Sequence, residues 1–280
     1  VPQDSAADNP ENPCPVACDV AIPIVYWQQP IKIPADQVAA SIPFDIDVRA
    51  SMEATFTNSN SSPPISIARW SGNSPYVSGL GHAGIAMING RTGAAAYWEY
   101  GRYDRAQFGE VRHVPSVASV TLTFDEVGNP ERGALEQLAR VLTTTNGPGQ
   151  LYEGVYIKLS NGSFDRMVEF AENRMALVAR GPSGGAEVYS VESNHCFTFA
   201  MEVAAIAGVR TSAARSAPTL EVELLGGNMA TRALIRGFAP DFEVPGRQMR
   251  ALQQSYRAFN VSSDGTIDSD FQFPAALNSR

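Results

Sequence analysis

The chain has 280 residues, 44% of them hydrophobic, which is enough for a sizeable buried core. Only 21 Lys and Arg stand against 29 Asp and Glu, for a net charge of -8, and this balance excludes a nucleic-acid binder built on a basic face. No apolar run approaches the roughly 20 residues that span a bilayer. The first twenty residues lack the charged start and apolar stretch of a signal peptide, and an opening on Val1 reads as a chain excised from, or processed out of, a longer one.

Residues 1 to about 20, rich in Asp, Asn, Pro and Ala, read as a flexible lead. Cys14 and Cys18 form a C-x-x-x-C pair with no second Cys or His pair nearby, which argues against a structural zinc site. A local disulfide and two incidental thiols both stay open. The stretch VAIPIVYWQQPIKIP is apolar and kept extended by Pro23, Pro30 and Pro34. TNSNSSPPISIARWSGNSP reads as loop. A hairpin follows, with GHAGIAMI and AAAYWEYGRY as its arms and NGRTG as its turn. SVASVTLTFD alternates as a half-buried strand should. NPERGALEQLARVLTTTNGPG predicts a helix with Leu135, Leu138, Val141 and Leu142 on its apolar side, stopped by NGPG. LYEGVYIKL predicts a strand and SFDRMVEFAENRMALVA a second helix. A buried helix ending at Gly208 comes next, and GRQMRALQQSYRAF predicts a last helix before a polar tail. Strands and helices mix without a βαβ repeat, so the fold class is α+β.

The third cysteine, Cys196, stands alone where the polar residues of SNHCFTFAMEVAAIAGV turn into an apolar helix. With Asn194 as N-cap, Cys196 occupies the first helical turn, where the helix N-terminus favours a thiolate. Free cysteines also serve as inert core residues. A cysteine nucleophile needs an imidazole, itself oriented by a third polar group. His195 is adjacent to Cys196, and helix neighbours one apart do not face each other. His113, in GEVRHVPSV, reads as a surface or loop histidine. His82 sits among small residues at the start of a strand in GLGHAGIAM, where glycines admit a substrate or another backbone, or else serve only a tight bend of the sheet. If Asn89 to Thr92 form a four-residue loop, Ile88 pairs with Gly93 and His82 with Glu99, which then fixes the imidazole tautomer. The plainer account of Glu99 is an ordinary strand charge.

GHAGIAMINGRTGAAAYWEYGRYD followed much later by NHCFTFA resembles the circularly permuted papain-like peptidases of the NlpC class, in which the histidine strand precedes the cysteine helix. Within that class the residues are most similar to the cell-wall-degrading effectors delivered by bacterial type VI secretion systems. The likeness covers about residues 78–210, although the His-Cys dipeptide departs from the more usual Asn-Cys order. It implies a permuted papain-like fold, an antiparallel sheet packed on the helix that carries the cysteine. Residues 1–77 then form an N-terminal extension, 78–210 the catalytic core, and 211–280 a C-terminal extension packed on that core. The implied catalytic residues are Cys196 as nucleophile, His82 as base and Glu99 as its orienting group.

The implied activity is a cysteine peptidase or amidase acting on bacterial peptidoglycan. Such an antibacterial toxin is secreted, works in the periplasm of a target bacterium, and is neutralised at home by a cognate immunity protein. No cofactor or metal is expected. The three histidines lack H-E-x-x-H spacing, and SSDGTIDSD lacks the glutamate that closes a calcium loop, so it reads as a solvated turn. Two other functions compete. One is a lipid acyltransferase or thioesterase on the same fold. The other is a non-enzymatic adhesion or carbohydrate-binding module, supported by the aromatic YWEYGRY, in which Cys196 is inert.

Overall fold

Every residue from Asp19 to Tyr26 is buried, the mark of a strand with neighbours on both edges and packed layers on both faces. This strand, β1, lies in a six-stranded antiparallel sheet. The computed structural model describes residues 14, 16–27, 29, 31–32, 54–56, 66–71, 74–78, 81–101, 103, 109–146, 149–179, 187, 189, 194–209, 222–224 and 245–274. Residues 1–13 of the expected flexible lead and residues 57–65 of the expected loop fall outside them. In chain order the described elements are β1, β2 (Ile31–Lys32), β3 (Ala54–Phe56), β4 (Ser66–Ser71), β5 (Ser74–Ser78), β6 (His82–Ile88), β7 (Ala95–Gly101) and β8 (Glu110–His113). There follow helix α1 (Arg132–Thr145), β9 (Tyr152–Leu159), α2 (Ser163–Ala179), α3 (Cys196–Ile206), β10 (Val222–Leu224), α4 (Pro245–Ser255) and β11 (Arg257–Val261).

The large sheet runs β11-β9-β1-β6-β7-β8. It takes β1 from the stretch read as an N-terminal extension and β11 from the C-terminal one. Two small sheets stand apart from it, β2-β5-β4 and β10-β3. On one face, Ala83, Ile85, Met87 and Trp98 pack against α2, α3 and α4 through Met167, Phe199, Val203 and Met249. On the other, Ile22, Ile24, Ile88 and Tyr97 meet Leu135, Leu138 and Leu142 of α1. The alternation of side chains along each strand assigns residues to these two layers. The α+β expectation holds, as do the three helices read around Leu135, from Ser163 and from Cys196. The last of these ends at Gly208, which takes the left-handed φ of +84°.

Four expectations need correction. SVASVTLTFD forms no strand. Pro115 opens a 3-10 turn over Pro115–Ser119, and the remainder makes only isolated bridges, Ala94 to Thr121 and Phe124 to Pro130. Its apolar alternation is nonetheless used, because Val117, Val120 and Leu122 are buried under the α1 layer. The SIARWS part of the expected loop is strand β4, paired with β5. The last helix stops at Ser255, and Arg257–Val261 pairs with β9 instead, burying Phe259 and Val261. His113 is a strand residue, half-buried, with its ring 4.7 Å from that of Trp98.

Pro23 sits inside a central strand, where a missing N–H normally breaks a ladder. Its register with β6 is unbroken, Pro23 opposite Ile85, whereas the ladder to β9 skips Ile22 and Pro23. Proline is therefore accommodated by leaving a gap on one edge only. At the start of the same strand, Cys14 and Cys18 are joined by a disulfide, which settles the alternatives left open by their spacing. Next to it the buried Asp19 carboxylate accepts Gly90 N–H at 2.8 Å and Phe164 N–H at 2.9 Å. One side chain thus ties β1 to the hairpin loop and to the first turn of α2.

Asp19→Ala leaves both N–H groups buried without that acceptor, at a cost of about 1–3 kcal/mol each. The expected loss is about 2–4 kcal/mol, read from the urea midpoint at unchanged slope. A midpoint equal to wild type would show that this carboxylate does not hold the corner.

Candidate active site

The β6–β7 hairpin places the first two site residues. Asn89 Oδ1 accepts Arg91 N–H and Thr92 N–H at 3.0 and 3.1 Å, an Asx-type turn. Gly93 then takes φ +72° and its carbonyl accepts Leu122 N–H. The loop therefore runs from Asn89 to Ala94, two residues longer than expected, and Ile88 pairs with Ala95. The residue opposite Glu99 is Gly84, not His82. A slip of one residue would have moved Glu99 to the other face, but a slip of two preserves the face. His82 and Glu99 meet on the diagonal, with Nε2–H donating to Glu99 Oε2 at 3.0 Å.

Glycines flank this pair for a reason the sequence left open. Gly81 takes φ +80°, and a Cβ there would stand 2.8 Å from Val25. A Cβ on Gly84 would stand 2.1 Å from the Tyr97 hydroxyl. These glycines make room for the protein's own side chains.

Glu99 is almost fully engaged. Its Oε2 also accepts Tyr97 O–H at 3.4 Å and the Nδ2 amide of Asn146, while Oε1 accepts Tyr103 O–H at 2.6 Å. Burial opposes its ionisation, but the His82 charge and these donors hold the carboxyl below the usual carboxylate range. Of the polar side chains near the site, Tyr97 takes part in orienting this carboxylate. Asn194 instead donates to Tyr100 Oη and to Glu187 Oε2, both at 3.0 Å. Tyr103 and Asn146 were missed. Asn146 is contributed by the end of α1, more than forty positions away, and no local pattern reports that contact.

The candidate nucleophile, Cys196, is set by the start of α3. Its N-cap is His195, not Asn194: Nδ1 accepts Phe197 N–H at 3.2 Å, and Thr198 Oγ1 accepts His195 N–H at 2.8 Å. Because His195 lies just outside the helix, with φ -130° and ψ -177°, its ring is free of the helical direction that separates adjacent side chains. The ring lies close enough to act on the Cys196 thiol, as that of His82 does. Tyr189, buried and stacked on Tyr100 with ring centroids 5.7 Å apart, stands beside Cys196.

Cys196 is completely buried and His82 is 7% exposed. Burial pushes the thiol up, but the hydrogen bonds of His195 and His82 and their charge bring it down to about 6. Burial likewise disfavours the imidazolium, yet Glu99 and the thiol together push His82 up to about 10. Between these values the pair exists as thiolate and imidazolium. With Nε2 committed to Glu99, Nδ1 is the nitrogen left to exchange a proton with sulfur. Among the described residues no group of three or more His, Cys, Asp and Glu is arranged to hold a metal ion.

With Cys14 and Cys18 joined, Cys196 is the free thiol. Its iodoacetamide alkylation rate should rise with pH around a midpoint near 6, because only the thiolate reacts. In His82→Ala the midpoint should climb toward the free-thiol value of about 8.5. A wild-type midpoint already there would remove the ion pair from the account.

A family model described as type VI secretion system effector, TseH-like, matches residues 21–212, well over half of the chain. A search of curated proteins found no match. The crystal structure of the type VI secretion system effector TseH superposes on 90% of this chain and 97% of its own, with a TM-score of 0.54 at 18% identity, a likeness of fold. The chain belongs to the TseH-like family of type VI secretion effectors.

Proposed function

We propose that this effector is a cysteine hydrolase on a permuted papain-like fold, cutting an amide or peptide bond of bacterial peptidoglycan in the periplasm of a target cell. The observation that carries this reading is the line from Glu99 through His82 to Cys196. A carboxylate holds one nitrogen of an imidazole at 3.0 Å, and the same ring lies close enough to a thiol at a helix N-terminus to favour its thiolate. An inert core cysteine has no use for that alignment, nor does an adhesion or carbohydrate-binding module. Membership of a type VI effector family supports secretion and a target outside the producing cell. A cognate immunity protein belongs to the same reading.

The chemistry follows from the geometry. The Cys196 thiolate attacks the carbonyl carbon, forming a C–S bond and placing negative charge on the carbonyl oxygen. The backbone N–H of Cys196, unpaired within the helix at its first turn, is one donor to that oxyanion. The Tyr189 hydroxyl stands beside it as the second. His82 gives its proton to the leaving amine, and the C–N bond breaks to leave a thioester. Water then attacks the thioester while His82 takes up its proton, the C–S bond breaks, and the acid and the thiolate separate. Glu99 stays ionised throughout and keeps Nε2 of His82 directed away from sulfur.

Purified peptidoglycan digested by the wild type should release fragments that mass spectrometry assigns to one cleaved bond. Cys196→Ala and His82→Ala should release none, and identical fragments from Cys196→Ala would sink the reading. Glu99→Gln should keep its melting temperature and lose up to about 10⁴ in turnover. Tyr189→Phe should lose about 10²–10³ in turnover, a larger loss than in alkylation by iodoacetamide, since that reaction develops no oxyanion. Equal losses in both assays would mean that Tyr189 only supports the fold.

A further inference from the structure

One tyrosine at this site is placed by features that nothing in the proposed mechanism requires. Tyr103 lies beyond the end of β7. Its hydroxyl donates to Glu99 Oε1 at 2.6 Å and stands 3.3 Å from His82 Nε2. With its proton on Glu99, the hydroxyl oxygen faces the Nε2–H, which it shares with Glu99 Oε2. One phenol therefore touches both members of the pair. Its ring meets the imidazole edge-on, at 6.3 Å and 82°.

Two neighbours hold that ring. On one side the Arg112 guanidinium lies 3.6 Å from its centroid, and Glu110 fixes this cation through two hydrogen bonds at 3.0 and 3.1 Å. On the other side is Gly101, where a Cβ would stand 2.8 Å from the ring. Gly101 carries no left-handed φ, so its lack of a side chain serves the close approach of Tyr103 and not a turn. An edge strand and a glycine are both arranged to keep one hydroxyl in place.

The carboxylate explains what that hydroxyl does. A glutamate carboxyl turns easily about its last bond, and three of the four donors to Glu99 crowd on Oε2. Tyr103 is the donor on Oε1. We propose that Tyr103 is a positioning residue of the hydrolytic centre: by anchoring Oε1 it keeps Oε2 on His82 Nε2, and so preserves the thiolate–imidazolium pair. The proposal rests on the reading of Cys196 and His82 as that pair. Burial and the charge of Glu99 push the Tyr103 hydroxyl well above the usual phenol range, so it remains a donor. The other ionisable groups around the centre are Tyr97 on β7, Tyr26 on β1, Arg112 on β8, and His195 and Tyr189 beside the thiol.

The test is the pH dependence of Cys196 alkylation by iodoacetamide in the full chain, with thermal melting alongside. Tyr103→Phe keeps the ring and removes the hydroxyl. Its alkylation midpoint should rise by about one pH unit, the size of one lost hydrogen bond to a charged group. The melting temperature should stay within about 2 °C of wild type. Gly101→Ala displaces the ring with the hydroxyl intact and should move the midpoint in the same direction. It also carries the comparison if Tyr103→Phe does not fold. A midpoint within about 0.2 unit of wild type in a folded variant overturns the proposal, whether or not the melting temperature falls. The wild-type profile tests the underlying reading separately. A wild-type midpoint near the free-thiol value of about 8.5 would defeat the ion pair itself, and the proposal with it.

Discussion

The structure turns on one buried imidazole bound to a carboxylate and set close to a buried thiol. Each of the three groups is disfavoured as an ion by burial. Together they are stable in charged form, because each supplies the charge or the donor that another lacks. Buried ion pairs of this kind add little to folding free energy. Their value is chemical, in a sulfur that is ionised at neutral pH without bulk solvent. Several otherwise unrelated features gather around it, among them Gly84 beside Tyr97, Gly101 beside Tyr103, and a histidine as the cap of α3.

The site is also where the two layers of the molecule meet. Glu99 shares a sheet face with Tyr97 and receives Asn146 from the α1 side. Cys196 belongs to the layer packed on the opposite face. His82, the first residue of β6, is the group that touches both. Neither layer alone holds a complete centre, so the chemistry depends on the sheet being covered on both sides. The opposite end of β1 carries no such machinery. There the Cys14–Cys18 disulfide and the Asp19 carboxylate secure the hairpin loop and α2. A disulfide is kept in an oxidising compartment, which agrees with the proposed place of work.

Belonging to the TseH-like family connects this centre to delivery by a type VI system. The solved TseH structure shares the fold at an identity too low to carry more than the fold. What the centre does chemically is therefore argued from Cys196, His82 and Glu99 as they stand in this chain. Tyr103 and Tyr189 join them at the centre from stretches with no motif of their own.

The sequence by itself determined the elements whose signal is local. Helices α1, α2 and α3 follow from apolar spacing and from stops at Asn146 and Gly208, and the hairpin follows from its turn residues. It also determined the three chemical candidates, since a lone cysteine opening an apolar helix and a histidine between glycines stand out without any contact being known. Only the tertiary structure decided the rest. The hairpin register moved by two because the side chain of Asn89 reshapes its own loop, a choice that residue spacing does not encode. Pro23 became a central strand residue because one of its two neighbours leaves a gap, and the tail changed from helix to strand because β9 offered it an edge. Tyr103 and Tyr189 lie near Glu99 and Cys196 in the chain but outside the elements that carry them, and Asn146 reaches Glu99 across 47 positions. Such long-range contacts are fixed by packing, and packing leaves no periodic trace in the sequence.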